Sequence, residues 1–425
     1  MKNQIKVIFG IIVIVFIFLL MYFVFYDKYK MPKGAEILIS DTKIDVYSED
    51  LYLYDLIKSS NVQILTENIP LQVDSIGSKT TTISYKYKND LRKYLYDINY
   101  DVVDNISPIF IKAPSASKTF YVDEMSNKDF DKIVEKITFG DNYDVNPTIK
   151  TIGDINFSKA GTYKITLEIS DSSNNKTTKD MDVLIKERPK TVNNSNDVNT
   201  EEELEENDEK TIQFEEQIKN YKTNNTMLGI DVSKWQGEID FEKIKNAGCE
   251  FVIIRLGVMK DKDSELVKDA TFDLNYKNAK QAGLKVGIYI YSEANNVTTA
   301  ISNAEFIIDE LNGDKLDFPV VFDWESWTYF NSMEMNLHML NEMYDAFSNR
   351  LNEAGYNTML YASEYYLNNV WLDLKDYTLW VAKYSSKLPE INSANNNYIL
   401  WQNANTGCID GIDSNVDLDI YYIDR

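Results

Sequence analysis

Two acids, Asp323 and Glu325, close the apolar run in PVVFDWESW (319–327). Val320, Val321 and Phe322 read as a strand entering a core, and alternate residues of a strand share a face, so the pair presents two carboxylates to one side. Gathering like charges away from water is costly unless they are used or paired. The stretch is therefore either a reactive site or a strand that ends in solvent. Two further acids fall at comparable places, Asp231 in GIDVS and Asp417 in NVDLD. Around them, at the ends of apolar runs, stand Tyr289, Tyr291, Tyr361, Trp380, Trp401 and Gln402. Carboxylates beside flat rings suit a carbohydrate, because acids cleave the glycosidic bond and rings stack on sugar faces. Any one of these aromatics is more often found filling a core; for a set recurring at strand ends that reading is weaker.

Other chemistries lack their residues. The single histidine, His338, falls off the apolar stripe Leu337, Leu340, Tyr344, Phe347 and Leu351 of a predicted helix and is expected to be exposed. Ser-His-Asp and Cys-His mechanisms thus have little support. No Gly-rich phosphate loop and no HExxH is present. Cys249 and Cys408, without a CxxC, make neither a disulfide framework nor a metal site and read as small core residues, a pairing between them being left open. We expect no metal and no cofactor. A net charge of −23 argues against nucleic acid as a partner, since phosphate binding requires a basic face.

The elements that position the acids are legible as a pattern. Apolar runs at 227–233, 249–257, 285–293, 318–325, 357–363, 377–384, 398–404 and 415–422 read as strands. Helical patterns DFEKIKNAG, ATFDLNYKNAKQAG, TTAISNAEFIIDELNG and MEMNLHMLNEMYDAFSNRLNEAG separate the first five, each ending at the glycine that commonly stops a helix. The alternation predicts an α/β fold, a TIM-like barrel whose last part is mostly strand, with function at the C-terminal ends of the strands. Asp231, Asp323 and Glu325 lie there.

At this point the residues carry a resemblance. GIDVSKWQGEIDFEKIKNAGCEFVIIRLG, NYKNAKQAGLKVGIYIYS, PVVFDWE, AGYNTMLYAS, LWVAKY and LWQNANTGCIDGIDSNVDLD, in this order, resemble glycoside hydrolase family 25, the Chalaropsis-type lysozymes, over about residues 228–422. The resemblance implies a flattened (β/α)5β3 barrel and N-acetylmuramidase activity on the β-1,4 bond between N-acetylmuramic acid and N-acetylglucosamine of peptidoglycan. It implies Glu325 as general acid and Asp323 as the second central carboxylate, either nucleophile or orienter of the substrate's own N-acetyl group. Asp231 and Asp417 complete the cluster. Where the family usually has Asn two residues after the last acid, this chain has Asp419. The D-x-E spacing matches the short carboxylate separation of retaining glycosidases, and substrate assistance also gives retention. A chitinase-like barrel and a non-enzymatic wall-binding protein are the competing readings.

The N-terminal half is organised differently. Residues 7–26 carry no charge, are long enough to span a bilayer as a helix and precede no small-residue cleavage site, so a single-pass membrane anchor with an extracellular catalytic domain is expected rather than a cleaved signal. Residues 36–106 and 107–187 read as two all-β sandwiches resembling the bacterial Ig-like modules of Gram-positive surface proteins. YDINYDVVDN (96–105) aligns with YKITLEISDS (163–172), pairing Tyr96 with Tyr163, Ile98 with Ile165, Tyr100 with Leu167, Val102 with Ile169 and Asp104 with Asp171. Residues 188–225, with an acidic run from Glu201 to Glu209, read as a linker, and TIQFEEQIKNYKTNN within it as a short amphipathic helix. The catalytic domain is assigned to 226–425, and residues 222–425 are expected to fold and cleave peptidoglycan without the rest of the chain. Expected partners are peptidoglycan glycan strands and, through the N-terminal helix, the membrane.

Overall fold

The computed structural model describes residues 14–16, 28–112, 114–188, 211–392 and 398–425. The chain divides into two compact units, Met1–Ile106 and Ser107–Arg425. The expected anchor, 7–26, lies outside the described residues except for 14–16, which are helical. Among the described residues no helix is long and apolar enough to cross a membrane.

The C-terminal part of the second unit is a barrel. Its sheet has ten strands, of which eight close on themselves: β1 (Thr226–Val232), β2 (Phe251–Val258), β3 (Lys285–Ser292), β4 (Val320–Trp324), β5 (Thr358–Ser363), β6 (Leu379–Ala382), β7 (Tyr398–Cys408) and β8 (Val416–Tyr422). The first seven are joined in parallel, and β8 runs antiparallel between β7 and β1. Helices α1 (Phe241–Asn246), α2 (Phe272–Gln281), α3 (Val297–Leu311), α4 (Leu337–Glu353) and α5 (Glu364–Asn369) follow the first five strands. The strand period of two decides what faces where. Leu228, Ile230, Val252, Ile254, Val286, Ile288, Val320, Phe322 and Trp324 face the helices in one continuous core. The alternate positions Phe251, Ile253, Val321, Met359, Trp380 and Leu400 fill the interior. Gly229 is required there, since a Cβ would stand 2.5 Å from the Phe251 ring. The short α5 escapes the periodicity reading because EYYLNN buries only Leu367.

The barrel begins earlier than 226. Ile212–Gln213 pairs in parallel with Gly407–Cys408, and the helix Phe214–Tyr221 buries Phe214 in the barrel core. Gln217 and Asn403 exchange hydrogen bonds of 2.8 and 3.1 Å. The linker boundary at 225 is thereby corrected: the apolar residues Ile212, Phe214 and Ile218 bind the segment to the domain it leads into.

The two modules upstream share one plan. In the first unit Ile37–Ile39 pairs antiparallel with Ile57–Ser60, and Lys43–Asp45, Gln63–Ile64, Gly77–Lys86 and Tyr94–Val103 make a four-stranded sheet whose first strand is parallel to its last. In the second unit Ile109–Phe110 pairs antiparallel with Phe139–Gly140. Ser117–Tyr121, Thr148–Ile152, Gly161–Ser170 and Lys176–Lys186 repeat the same order and senses. The internal repeat is real, but the alignment is corrected by one strand: Gly161–Ser170 corresponds to Gly77–Lys86, not to Tyr94–Val103. Alternating apolar residues recur in every central strand, so period two alone cannot choose between them.

The second module is also not all-β. Asn127–Val134 is a helix, capped by Ser126 and Asp129, and its Phe130 and Val134 pack on Ile165, Leu167, Met181 and Val183. The first module has a 3-10 turn, Leu53–Leu56, at the corresponding place. Two apolar residues four apart within SNKDFDKIV give a weak helical signal, which is why the strand reading prevailed.

The second module is seated on the barrel. Ile111 is fully buried within the barrel's outer core. The Phe139 amide donates to Asn331 Oδ1 (3.3 Å), the Leu337 amide donates to the Asp141 carbonyl (2.7 Å), and Asn336 Nδ2 donates to the Tyr143 carbonyl (2.7 Å). A Cβ on Gly140 would stand 2.8 Å from the Phe330 ring and 3.1 Å from Leu337. A catalytic domain independent of residues 107–187 is thus not what the structure presents.

Candidate active site

The C-terminal half of the barrel interior changes from apolar to acidic. Asp231 on β1 stands opposite Asp417 on β8, and Asp323 on β4 stands between Tyr291 of β3 and Tyr361 of β5. β4 ends at Trp324, and Glu325 begins the 3-10 turn Ser326–Ser332. Asp231 and Asp323 are buried, while Glu325 reaches solvent at the mouth. The four acids lie within one another's fields. Burial, then Glu325 and Asp231, hold Asp323 well above the usual carboxylate range, and Arg255 opposes the shift. Shielding by the surrounding walls, then Asp417, raises Glu325. Burial lifts Asp417 to about 6. Asp231 is raised well above the usual range by burial and by Asp417, while hydrogen bonds from Gln402 and Asp419 pull it down. Among the described residues one buried cation stands near: Arg255 of β2, whose Nε and Nη2 meet Asp269 Oδ2 at 2.8 and 2.7 Å.

Most of the expected residues converge, in different roles. Asp231, Asp323, Glu325 and Asp417 form the cluster. Tyr289, Tyr291 and Tyr361 line its walls, with hydroxyl pKa values raised by burial and then by these acids. Gln402 does not open to solvent: its Nε2 donates to Asp231 Oδ2 (2.8 Å), and its Oε1 accepts from the hydroxyls of Tyr361 (2.9 Å) and Tyr384 (3.0 Å). It orients Asp231. Trp380 is buried beneath the acids against Tyr361 and Tyr289, and its Nε1 donates to Asp419 Oδ1 (3.0 Å), so it is no sugar platform. Trp401 is corrected outright. Strand parity turns it to the outer core, where it is fully buried against Tyr221 and donates to the Lys383 carbonyl.

The rings that face solvent beyond the strand ends are others: Trp235 after β1 (72% exposed), Tyr329 after β4 (63%), Tyr365 after β5 and Tyr384 after β6 (55%). Their signal was available, since an aromatic just past a strand end is freer than one inside it. Arg255 was likewise visible as a lone cation in FVIIRLGV, and Asp419 as the second acid of VDLD. His338 is half-buried rather than exposed and faces Glu342 at 3.6 Å, one helical turn on. Cys249 and Cys408 are free thiols, and burial pushes Cys249 up to about 12.

Known proteins resemble this chain over most of its barrel. Residues 230–412 match the family model of glycosyl hydrolases family 25. An autolytic lysozyme of Clostridium acetobutylicum is 30% identical over 194 residues, 45% of this chain and 55% of the relative. Lysozyme M1 of Streptomyces globisporus is 26% identical over 201 residues, 44% of this chain and 65% of the relative. The chain thus spans little more than half the length of the first of these and just under two thirds of the second. The crystal structure of the Clostridium perfringens spore cortex lytic enzyme SleM aligns with 47% of this chain and 68% of its own, at 20% identity and a TM-score of 0.40. The chain carries, at residues 230–412, a domain of glycosyl hydrolases family 25.

Proposed function

We propose that the protein is a peptidoglycan hydrolase, an N-acetylmuramidase that cleaves the β-1,4 bond between N-acetylmuramic acid and N-acetylglucosamine with retention. The observation that carries this reading is the gathering of Asp323 and Glu325 with Asp231 and Asp417 into one mutually repelling cluster at the mouth of the barrel. A general acid must hold its proton near neutral pH, and shielding by the cleft walls with the negative charge of Asp417 raises Glu325 in that direction. Glu325 then protonates the leaving oxygen. Asp323, whose upward shift Arg255 opposes, faces the sugar as nucleophile or holds the N-acetyl group for internal attack. The family match and the two lysozyme relatives support the same substrate.

Product analysis on purified peptidoglycan tests the reading. New reducing ends of muramic acid are expected; reducing glucosamine ends would favour a chitinase-like enzyme, and no new ends a wall-binding protein. Glu325→Gln removes the proton donor and keeps the shape, so a loss of at least about a hundredfold is expected with glycan binding retained. Asp417→Asn removes a negative neighbour of Glu325. The Glu325 pKa falls, the acid loses its proton at lower pH, and the alkaline limb of kcat moves downward. A limb that stays in place separates the two groups.

The uncharged segment 7–26 and the first module, taken as an Ig-like spacer, support a membrane-tethered enzyme working on wall near its own membrane. Fractionation with N-terminal sequencing checks this: a mature chain starting near residue 27 in the medium makes the segment a signal peptide.

A further inference from the structure

Asp419 lies in the barrel interior on β8, two residues from Asp417, and is fully buried. Trp380 Nε1 donates to its Oδ1 at 3.0 Å. Its Oδ2 is buried and receives no hydrogen bond from any N–H or hydroxyl. The neighbours that could supply one are committed elsewhere. Gln402, its cross-strand partner, gives its amide to Asp231 and its carbonyl to two tyrosines. Arg255 donates through Nε to Asp269 Oδ2 and acts on Asp323, and it is not among the charges that shift Asp419. What stands within hydrogen-bonding reach is the Asp231 carboxyl. Two carboxylates in contact in a buried site share a proton, because neither burial nor mutual repulsion allows both to ionise.

We propose that Asp419 is a positioning residue, a neutral acid that takes one hydrogen bond from Trp380 and donates one to Asp231, fixing Asp231 as the ionised member of the pair. Asp231 then receives two donors, Gln402 Nε2 and the Asp419 hydroxyl, and keeps its charge beside Asp417. The groups facing the pair come from every strand around the interior: Arg255 on β2, Tyr289 on β3, Asp323 on β4 with Glu325 just beyond it, Tyr361 on β5, Tyr384 beyond β6, and Asp417 on β8, with Cys249 just before β2. Of these only Arg255 is cationic, so the surroundings favour the neutral form. Burial, then Asp231 and Asp417, hold the Asp419 pKa well above the usual carboxylate range.

The protonation state is tested without reference to activity, and so apart from the proposed reaction on which the catalytic half of this inference rests. An aspartate that stays protonated when folded but ionises when unfolded makes the wild type less stable as pH rises from its unfolded pKa, about 4, toward its folded one. Asn at 419 carries no such proton, accepts from Trp380 and donates to Asp231. Urea denaturation of wild type and Asp419→Asn from about pH 4 to pH 7 should therefore show the variant gaining on the wild type with rising pH, by up to about tenfold in the folding equilibrium per pH unit. The other acids titrate in both proteins and cancel to first order. A pH-independent difference overturns the proposal, as does an Asp419→Asn chain that fails to fold at neutral pH, since the amide meets both hydrogen bonds. On glycan, Asp419→Asn should keep turnover within about threefold while Asp419→Leu, which supplies neither partner, loses at least about tenfold. Equal loss in both overturns the positioning role.

Discussion

The two upstream modules have one strand order and two uses. In the first, Leu53–Leu56 bridges the sheets as a 3-10 turn with Leu53 and Leu56 buried within the module. In the second, the bridge is the helix Asn127–Val134, and the short sheet Ile109–Phe110 with Phe139–Gly140 lies against the barrel. Its contacts fall on Phe330, Asn331, Asn336 and Leu337. Phe330 and Asn331 belong to the 3-10 turn that starts directly after Glu325, and Asn336 caps α4. A scaffold that reads as a spacer has, in one copy, become a brace for the chain that leaves the proposed general acid. Few residues make the difference: an apolar Ile111, a glycine at 140 and backbone groups at 139, 141 and 143 that hydrogen-bond to Asn331, Leu337 and Asn336.

The largest test removes the brace. A chain of residues 211–425 leaves Phe330 and Leu337 without Ile111, and burying each such side chain is worth about 1.5–3 kcal/mol. We expect a lower urea midpoint than for 107–425 and at least about tenfold slower turnover on peptidoglycan, because the turn after Glu325 loses its support. Equal midpoints and equal turnover would make the seam incidental and return the second module to the role of spacer.

A single substitution sharpens the same contrast. Gly140→Val drives two methyls into Phe330 and should cost about 1–3 kcal/mol, with a visible fall in turnover. Ser59→Val, on the corresponding strand of the first module, is exposed and should shift stability by no more than about 0.5 kcal/mol. A smaller step is Asn331→Ala, which deletes the acceptor for the Phe139 amide and should cost about 1 kcal/mol. Thermal denaturation of 28–425 reads all three, and a Gly140→Val chain as stable as its parent refutes the close contact.

What the sequence revealed and what it hid follow one physical line. Strand runs and D-x-E were legible because burial imposes a period of two and because carboxylates are conspicuous at the end of an apolar run. The ordered motifs carried the family, the acids of the cluster and the fifth helix that periodicity missed. The direction of Trp401 was not legible, although period two contains it, because the bulges between β6 and β7 and between β7 and β8 blur parity near that strand. The role of Gln402 was hidden too, since Asp231 lies 171 residues away in sequence. The seam was invisible for a similar reason: Ile111 and Gly140 look like ordinary strand residues until Phe330 is brought to them. The repeat was seen one strand out of register, because alternation identifies a strand without identifying which strand.

The smallest expected effect on turnover lies in the first module. Leu53→Ala deletes a fully buried side chain and should destabilise that module by about 2–5 kcal/mol. Yet Met1–Ile106 is a compact unit separate from Ser107–Arg425, with its own core of Ile83, Tyr85, Ile98 and Val102. Units that fold around separate cores unfold separately. Denaturation of residues 28–425 should therefore show two transitions, of which Leu53→Ala moves one, and turnover on soluble glycan fragments should stay within about twofold of the parent. The corresponding lesion in the second module, Phe130→Ala, removes a buried helix residue from the core that carries the brace and should move the other transition. If Leu53→Ala slows turnover as much as Phe130→Ala does, the two copies are doing the same work, and the contrast between spacer and brace fails.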